Sequence, residues 1–181
     1  SFTGSTRVGR LLLEQSAPTV KRVSMELGGN APFIIGPDMD PKDAALAAVA
    51  AKFQTAGQDC LAANRIFVQQ GIYDDFLDKY AKAIAELRVG NGIEEYVEIG
   101  PLMHDRAVAK CEDHVTDARI KGARVLTGGK KMGGLFYAPT LLADVTDEMT
   151  IAREEIFGPV MSVLDFDDED EAIARANATE Y

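Results

Sequence analysis

Tryptophan is absent from the 181 residues, and histidine and cysteine occur only twice each. His104 and His114 do not lie in a recognisable zinc-ligand motif, and neither a zinc site nor a Ser/His/Asp triad assembles locally. A chain of this length buries a hydrophobic core without a covalent staple, and cytosolic thiols stay reduced, so Cys60 and Cys111 are judged singly rather than as a pair. No apolar run approaches the ~20 residues of a bilayer span. The opening "SFTGSTRVGR" lacks the apolar middle of a secretory signal, and the expected location is the cytoplasm. Positive charge is also scarce. With 19 basic against 29 acidic residues the net charge is −10, which excludes a phosphate-backbone partner such as nucleic acid and an anionic membrane surface. Internal repeats, low-complexity tracts and flexible linkers are missing too.

Hydrophobic residues make up 46% of the chain and charged ones 27%, an ordinary globular balance that supports one main core. Ser or Thr ahead of Val8, Leu11 and Leu12 predicts a helix from about Ser5 to Ala17, stopped by Pro18. "KRVSMELGG" alternates Val23, Met25 and Leu27 inward and reads as a strand halted at Gly28 and Gly29. "APFIIG" has the continuous apolar character of a covered parallel strand. Asp40 as N-cap and Pro41 at the first helical position open an alanine-rich helix that closes at Gly57. Phe76, Tyr80, Ile84 and Leu87 mark one helical face, and Val108, Cys111, Val115 and Ala118 another. "RIFVQ", "ARVLTGG", "TLLADV" and "PVMSVLDF" read as strands, and "DEDEAIARANATEY" as a capped helix in which the chain ends without a stop signal. Strands alternating with helices define βαβ units and an α/β fold around a mostly parallel sheet.

Two residues attract attention as chemical groups. A free cysteine is ordinarily a small buried hydrophobe, and Cys111, in register with Val108 and Val115, fits that description. Cys60, in "QTAGQDCLAANR", fits it less well. Gly57 ends one helix and Asp59 is placed to cap a short second one, which would set the thiol beside unpaired backbone N–H groups that favour the thiolate. On local physics the packing and nucleophile readings both remain open. Glu26 lies at the end of an apolar strand just before Gly28 and Gly29, where a partly desolvated carboxylate would serve as a general base; for a lone strand glutamate, simple alternation toward solvent is the better account. "TGSTRVG" at a helix mouth offers N–H groups and the hydroxyls of Ser5 and Thr6 to a pyrophosphate, but matches neither a G-x-G-x-x-G nor a P-loop. "GGKKMGG", residues 128–134, reads as a hairpin tip.

In order, "FTGST", "MELGGN", "GQDC" and "EEIFGPV" resemble the NAD(P)-dependent aldehyde dehydrogenase superfamily, over nearly the whole chain. The resemblance implies a three-layer α/β/α catalytic domain and favours the nucleophile reading of Cys60. It implies that Glu26 activates water, that Ser5, with Thr6, meets the cofactor pyrophosphate, that Glu155 holds the nicotinamide ribose, and that Phe157 lines the nicotinamide pocket. Leu27 is counted with the cofactor-binding positions. The implied cofactor is NAD or NADP, the partner a small-molecule aldehyde, and the parent enzyme a homo-oligomer with no nucleic-acid or membrane role.

Family members are longer, so residues 1–28 are expected to be the end of a cofactor-binding domain and residues 29–181 the catalytic domain, with the isolated chain inactive. "GQDCLAANRIFVQ" resembles the succinate-semialdehyde dehydrogenase branch. Gln54 stands where those enzymes commonly carry a carboxylate-pairing arginine, and Ala62 where many carry a second cysteine. Two rivals make other predictions. A cofactor-independent cysteine esterase or acyl hydrolase would cleave p-nitrophenyl esters regardless of NAD; a non-catalytic interaction module would show no preferential alkylation of Cys60 over Cys111.

Overall fold

The computed structural model describes all 181 residues, which divide into two compact units: Ser1–Gly29 with Glu180–Tyr181, and Asn30–Thr179. The first is a small βαβ element. Strands β1 (Phe2–Gly4) and β2 (Met25–Leu27) run parallel, and helix α1 (Thr6–Ser16) connects them through a single 3₁₀ turn at Ala17–Thr19. Ser5 is the N-cap of α1, its Oγ accepting from the Val8 amide at 3.4 Å, so the helix starts where the Ser/Thr signal places it. The inward alternation of β2 holds for Met25 and Leu27 but not for Val23, which is exposed because pairing begins only at Met25.

The second unit is built on a five-stranded sheet. β3 (Pro32–Ile35), β4 (Arg65–Gln69), β5 (Arg124–Thr127), β8 (Thr140–Ala143) and β9 (Val160–Phe166) lie in the order β3-β4-β9-β8-β5, parallel except for β5. Helices α2 (Pro41–Phe53), α3 (Tyr73–Ala85) and α4 (Asp105–Ile120) carry the main crossovers. α5 (Thr150–Arg153) and α6 (Glu169–Asn177) are short, and β6 (Lys131–Gly133) pairs with β7 (Phe136–Tyr137) as a hairpin. The α/β class and mostly parallel sheet are as the periodicity predicts.

β4 and β9 occupy the middle of the sheet, and their unbroken apolar runs follow from that position: Ile66, Phe67, Val68, Val163 and Leu164 are fully buried. β3, expected as a covered strand, is an edge. Pro32 opens it without breaking a ladder, and Ile34 is exposed. α2 ends at Phe53 rather than at Gly57, because the chain turns through Ala56 and Gly57, both at positive φ. The final helix does have a stop, at Asn177. In "GGKKMGG" the second half of the stretch is strand β6, and the hairpin turns beyond it, through Gly134.

Candidate active site

In the second unit, strand register brings together the two loops that carry Cys60 and Phe157. β4 and β9 are parallel, with Arg65 opposite Ser162, and Cys60 and Phe157 each lie five residues ahead of that pair. The loops entering the two strands therefore emerge side by side at the amino ends of neighbouring strands. Gly57 and Gly158 mark where they meet: a methyl group on Gly57 would fall far inside contact distance of the Gly158 carbonyl oxygen, and φ at Gly57 is +69°. Gly57 therefore has no room for a side chain at this crossing, and a methyl on Gly158 would instead meet Cys111 Sγ at 2.5 Å.

Cys60 sits at the exposed tip of the first loop. No second helix begins there. Asp59 instead closes a turn, its Oδ1 accepting from the Leu61 amide at 2.9 Å and its carbonyl from the Ala62 amide at 3.1 Å. Gln58 moors the turn from the other side. Its Oε1 accepts from the Met103 amide at 2.8 Å, and its Nε2 donates to the Pro101 carbonyl at 3.3 Å. Cys111, by contrast, is fully buried, and burial pushes its thiol up to about 12, which keeps it protonated and inert near neutrality.

Glu155 and Phe157 lie half-buried in the second loop, Phe157 with a left-handed φ of 53°. Lys110 of α4 donates to the Glu155 carbonyl at 2.5 Å. The remaining anchor is Asn64, a fully enclosed amide that sequence reasoning missed. Its Nδ2 donates to Asn30 Oδ1 at 2.6 Å and to the Glu154 carbonyl at 3.1 Å, while its Oδ1 accepts from the Ile156 amide at 3.0 Å. Asn30 Nδ2 donates in turn to the Ala152 carbonyl at 2.9 Å, and Arg65 Nη2 donates to the Asn30 carbonyl at 2.7 Å. Buried polar groups persist only when satisfied, and here both amides are used to fix the backbone on either side of Glu155. The only signal in the sequence was an Asn at the end of "MELGGN" and another in "AANR", and neither lies in a recognisable pattern of its own.

In the first unit, Ser5, Thr6, Glu26 and Leu27 share one end of the two-stranded sheet. Thr3 pairs with Glu26 and Gly4 with Leu27, so Ser5 leaves β1 level with the end of β2. Leu27 fits against Gly9 of α1, where an added methyl would meet its Cδ2 at 2.6 Å. Glu26 is exposed between half-buried neighbours, which corrects the expectation of a partly desolvated carboxylate: a two-residue alternation turns it outward. The mouth of α1 has no acidic residue in its first turn, and the Thr6 hydroxyl is buried without a hydrogen-bond partner. An orphaned hydroxyl beside the unpaired amides of a helix start fits an anionic ligand such as a dinucleotide pyrophosphate.

The chain belongs to the aldehyde dehydrogenase family, whose pattern matches residues 1–181. It is 61% identical to a non-phosphorylating aspartate-semialdehyde dehydrogenase of Halomonas elongata, over 100% of this chain and 37% of that protein. It is 50% identical to the NADP(+) succinate-semialdehyde dehydrogenase of Escherichia coli strain K12, over 100% of this chain and 38% of that one. The crystal structure of a succinate-semialdehyde dehydrogenase from Burkholderia pseudomallei superposes with a TM-score of 0.97 at 49% identity, covering 99% of this chain and 38% of the other. The chain thus spans little more than a third of the length of these relatives. No helix is long and apolar enough to cross a membrane.

Proposed function

We propose that the protein carrying this chain oxidises a small semialdehyde to the carboxylic acid with NAD or NADP, through Cys60 as nucleophile and Glu26 as the base that activates water. The observation that carries the reading is the exposed thiol of Cys60 on a turn braced against the loop of Glu155 and Phe157. In this reading residues 1–28 belong to the cofactor-binding domain and residues 29–181 to the catalytic domain, and the enzyme works in the cytoplasm as a homo-oligomer.

The thiolate of Cys60 adds to the aldehyde carbonyl to give a thiohemiacetal, and sulfur suits this step because it is strongly nucleophilic and leaves a reactive thioester. The Cys60 N–H supplies one donor to the oxyanion. NAD(P), when bound, would supply the hydride acceptor for oxidation of the thiohemiacetal to the thioester. Ser5 and Thr6 of the first unit would hold its pyrophosphate and Leu27 is assigned to it with them, while Glu155 of the second unit would hold its ribose and Phe157 would meet its nicotinamide. Glu26, whose carboxylate is open to solvent, would then take a proton from the water that attacks the thioester.

The names of the relatives support a substrate with a second polar group, and Gln54, exposed in the Cys60 loop, offers it an amide rather than a guanidinium. Comparing kcat/KM of the full-length enzyme for succinic semialdehyde and for an uncharged aldehyde of equal length tests this. A clear preference for the semialdehyde is expected, and equal values would remove the case for recognition of a second group.

A further inference from the structure

The amide of Gln58, two residues ahead of Cys60, turns both of its functions toward one backbone segment. Its Oε1 accepts from the Met103 amide at 2.8 Å, and its Nε2 donates to the Pro101 carbonyl at 3.3 Å. An acceptor for residue 103 and a donor for residue 101 are what the backbone of a neighbouring parallel strand would present across Leu102, so one side chain stands in for a strand. The segment it grips is itself fixed: Leu102 is 2% accessible, and its N–H donates to the Leu135 carbonyl at 2.9 Å. On the near side, the Thr55 carbonyl accepts from the Gln58 N–H at 3.1 Å and from Nε2 at 3.4 Å. Beyond the cysteine, the Ala63 N–H donates to the Ala51 carbonyl at 3.0 Å. Between these anchors the hydrogen bonds of residues 59–62 stay inside the turn, from Leu61 and Ala62 to Asp59. The hydrogen-bonded bearing of the turn therefore depends on Gln58 at one end and on a single backbone bond at the other.

We propose that Gln58 is a positioning residue for Cys60: its amide, gripping Pro101 and Met103, aims the turn so that the Cys60 thiolate and the Cys60 N–H reach one aldehyde carbonyl together. This rests on the reading of Cys60 as the nucleophile. In the attack the S–C bond forms as the carbonyl π pair moves onto oxygen, and the oxyanion takes a hydrogen bond from the Cys60 N–H. That N–H is free for the purpose, because Asp59 engages the amides of Leu61 and Ala62 and not that of Cys60. Both contacts have to be made in one geometry, and a displacement of about 1 Å is enough to slow such a step about a hundredfold. Without the Gln58 amide the turn keeps its internal bonds and loses its aim. The bonds that hold the Glu155 loop, from Asn64 and Lys110, stay in place. The loss therefore falls on the attack and not on cofactor affinity.

The test is the single-turnover rate of NAD(P)H formation by the full-length enzyme, held in excess over succinic semialdehyde, for the wild type, Gln58→Met, Gln58→Glu and Cys60→Ala. The Kd of NADH and NADPH is read beside it by fluorescence titration. Gln58→Met keeps the length and unbranched shape of the side chain but makes neither bond, and its rate is expected to fall about 10–100-fold with Kd within about twofold of wild type. Gln58→Glu still accepts from Met103 but turns a lone pair toward the Pro101 carbonyl, and donates there again only when its carboxyl is protonated. Its rate relative to wild type at the same pH should therefore climb as pH is lowered toward about 5, while that of Gln58→Met stays flat. An amide that served stability alone would give no such rescue. Rates within about twofold of wild type in both variants, or a loss of NADH affinity as large as the loss of rate, overturn the inference and leave the nucleophile reading standing. If Cys60→Ala still oxidises the aldehyde, the nucleophile reading fails and takes the inference with it. Should Gln58→Met not fold, Gln58→Glu decides: rescue at low pH supports the positioning role, and a flat relative rate overturns it.

Discussion

Gly57 and Gly158 meet backbone to backbone, one in the loop of Cys60 and the other in the loop of Glu155 and Phe157. The contact makes the two loops a single unit, and it tolerates no Cβ. Gly57→Ala is expected to cost at least about 3 kcal/mol, combining steric overlap with a left-handed φ that alanine resists. Gly92→Ala, at a site with open space around it, should stay within about 0.5 kcal/mol of wild type. Urea unfolding of both variants measures the difference, and equal midpoints would refute the contact.

Asn64 offers a second probe of the same loop. Replacing it by Leu leaves the Glu154 carbonyl and the Ile156 amide without their side-chain partner, and Asn30 loses a neighbour as well. The expected loss is about 3 kcal/mol in urea unfolding, because buried groups left unpaired pay their full desolvation. Cofactor affinity should fall with it, since Glu155 lies between the two backbone groups that are released.

Acid should loosen the fold in a definite window through His114. This imidazole is buried in α4 against Glu154, and burial, with Lys110 nearby, lowers it from 6.5 to about 4, while Asp117 and Asp113 pull the other way. Between those values the unfolded chain binds a proton that the folded chain refuses, so stability rises with pH across the window and falls as pH drops from about 6.5 toward 4. The slope from this one group is at most roughly 1 kcal/mol per pH unit. Asp117, held low chiefly by Lys121, loses its contribution only at more acid pH. Thermal melts of wild type and His114→Leu at several pH values are the check: the variant should lose the part of the slope that lies above about pH 4.

Much of this was legible in the residues. The caps of α1 and α2, the apolar face of α4 and the central strands β4 and β9 follow from local signals that the fold does not override. The inertness of Cys111 followed from its helical register. What local signals do not carry is sheet register: nothing near Cys60 reveals that its loop runs beside that of Phe157, because Arg65 and Ser162 are paired only in three dimensions. For the same reason Asn30 and Asn64 escaped notice. Their partners, Ala152, Glu154 and Ile156, are distant in sequence. Asp59 misled in the opposite direction, since an aspartate that caps a helix and one that closes a turn present the same short motif.

The central claim is that Cys60 and Glu26 act in succession on one aldehyde. Stopped-flow measurement of the full-length Glu26→Gln enzyme, with mass analysis of the peptide containing Cys60, tests it most directly. The account predicts a burst of about one NAD(P)H per active site, then turnover slowed on the order of 10²–10⁴-fold, with the acyl group trapped on Cys60. Steady turnover at the wild-type rate, with no acyl group on Cys60, would contradict it.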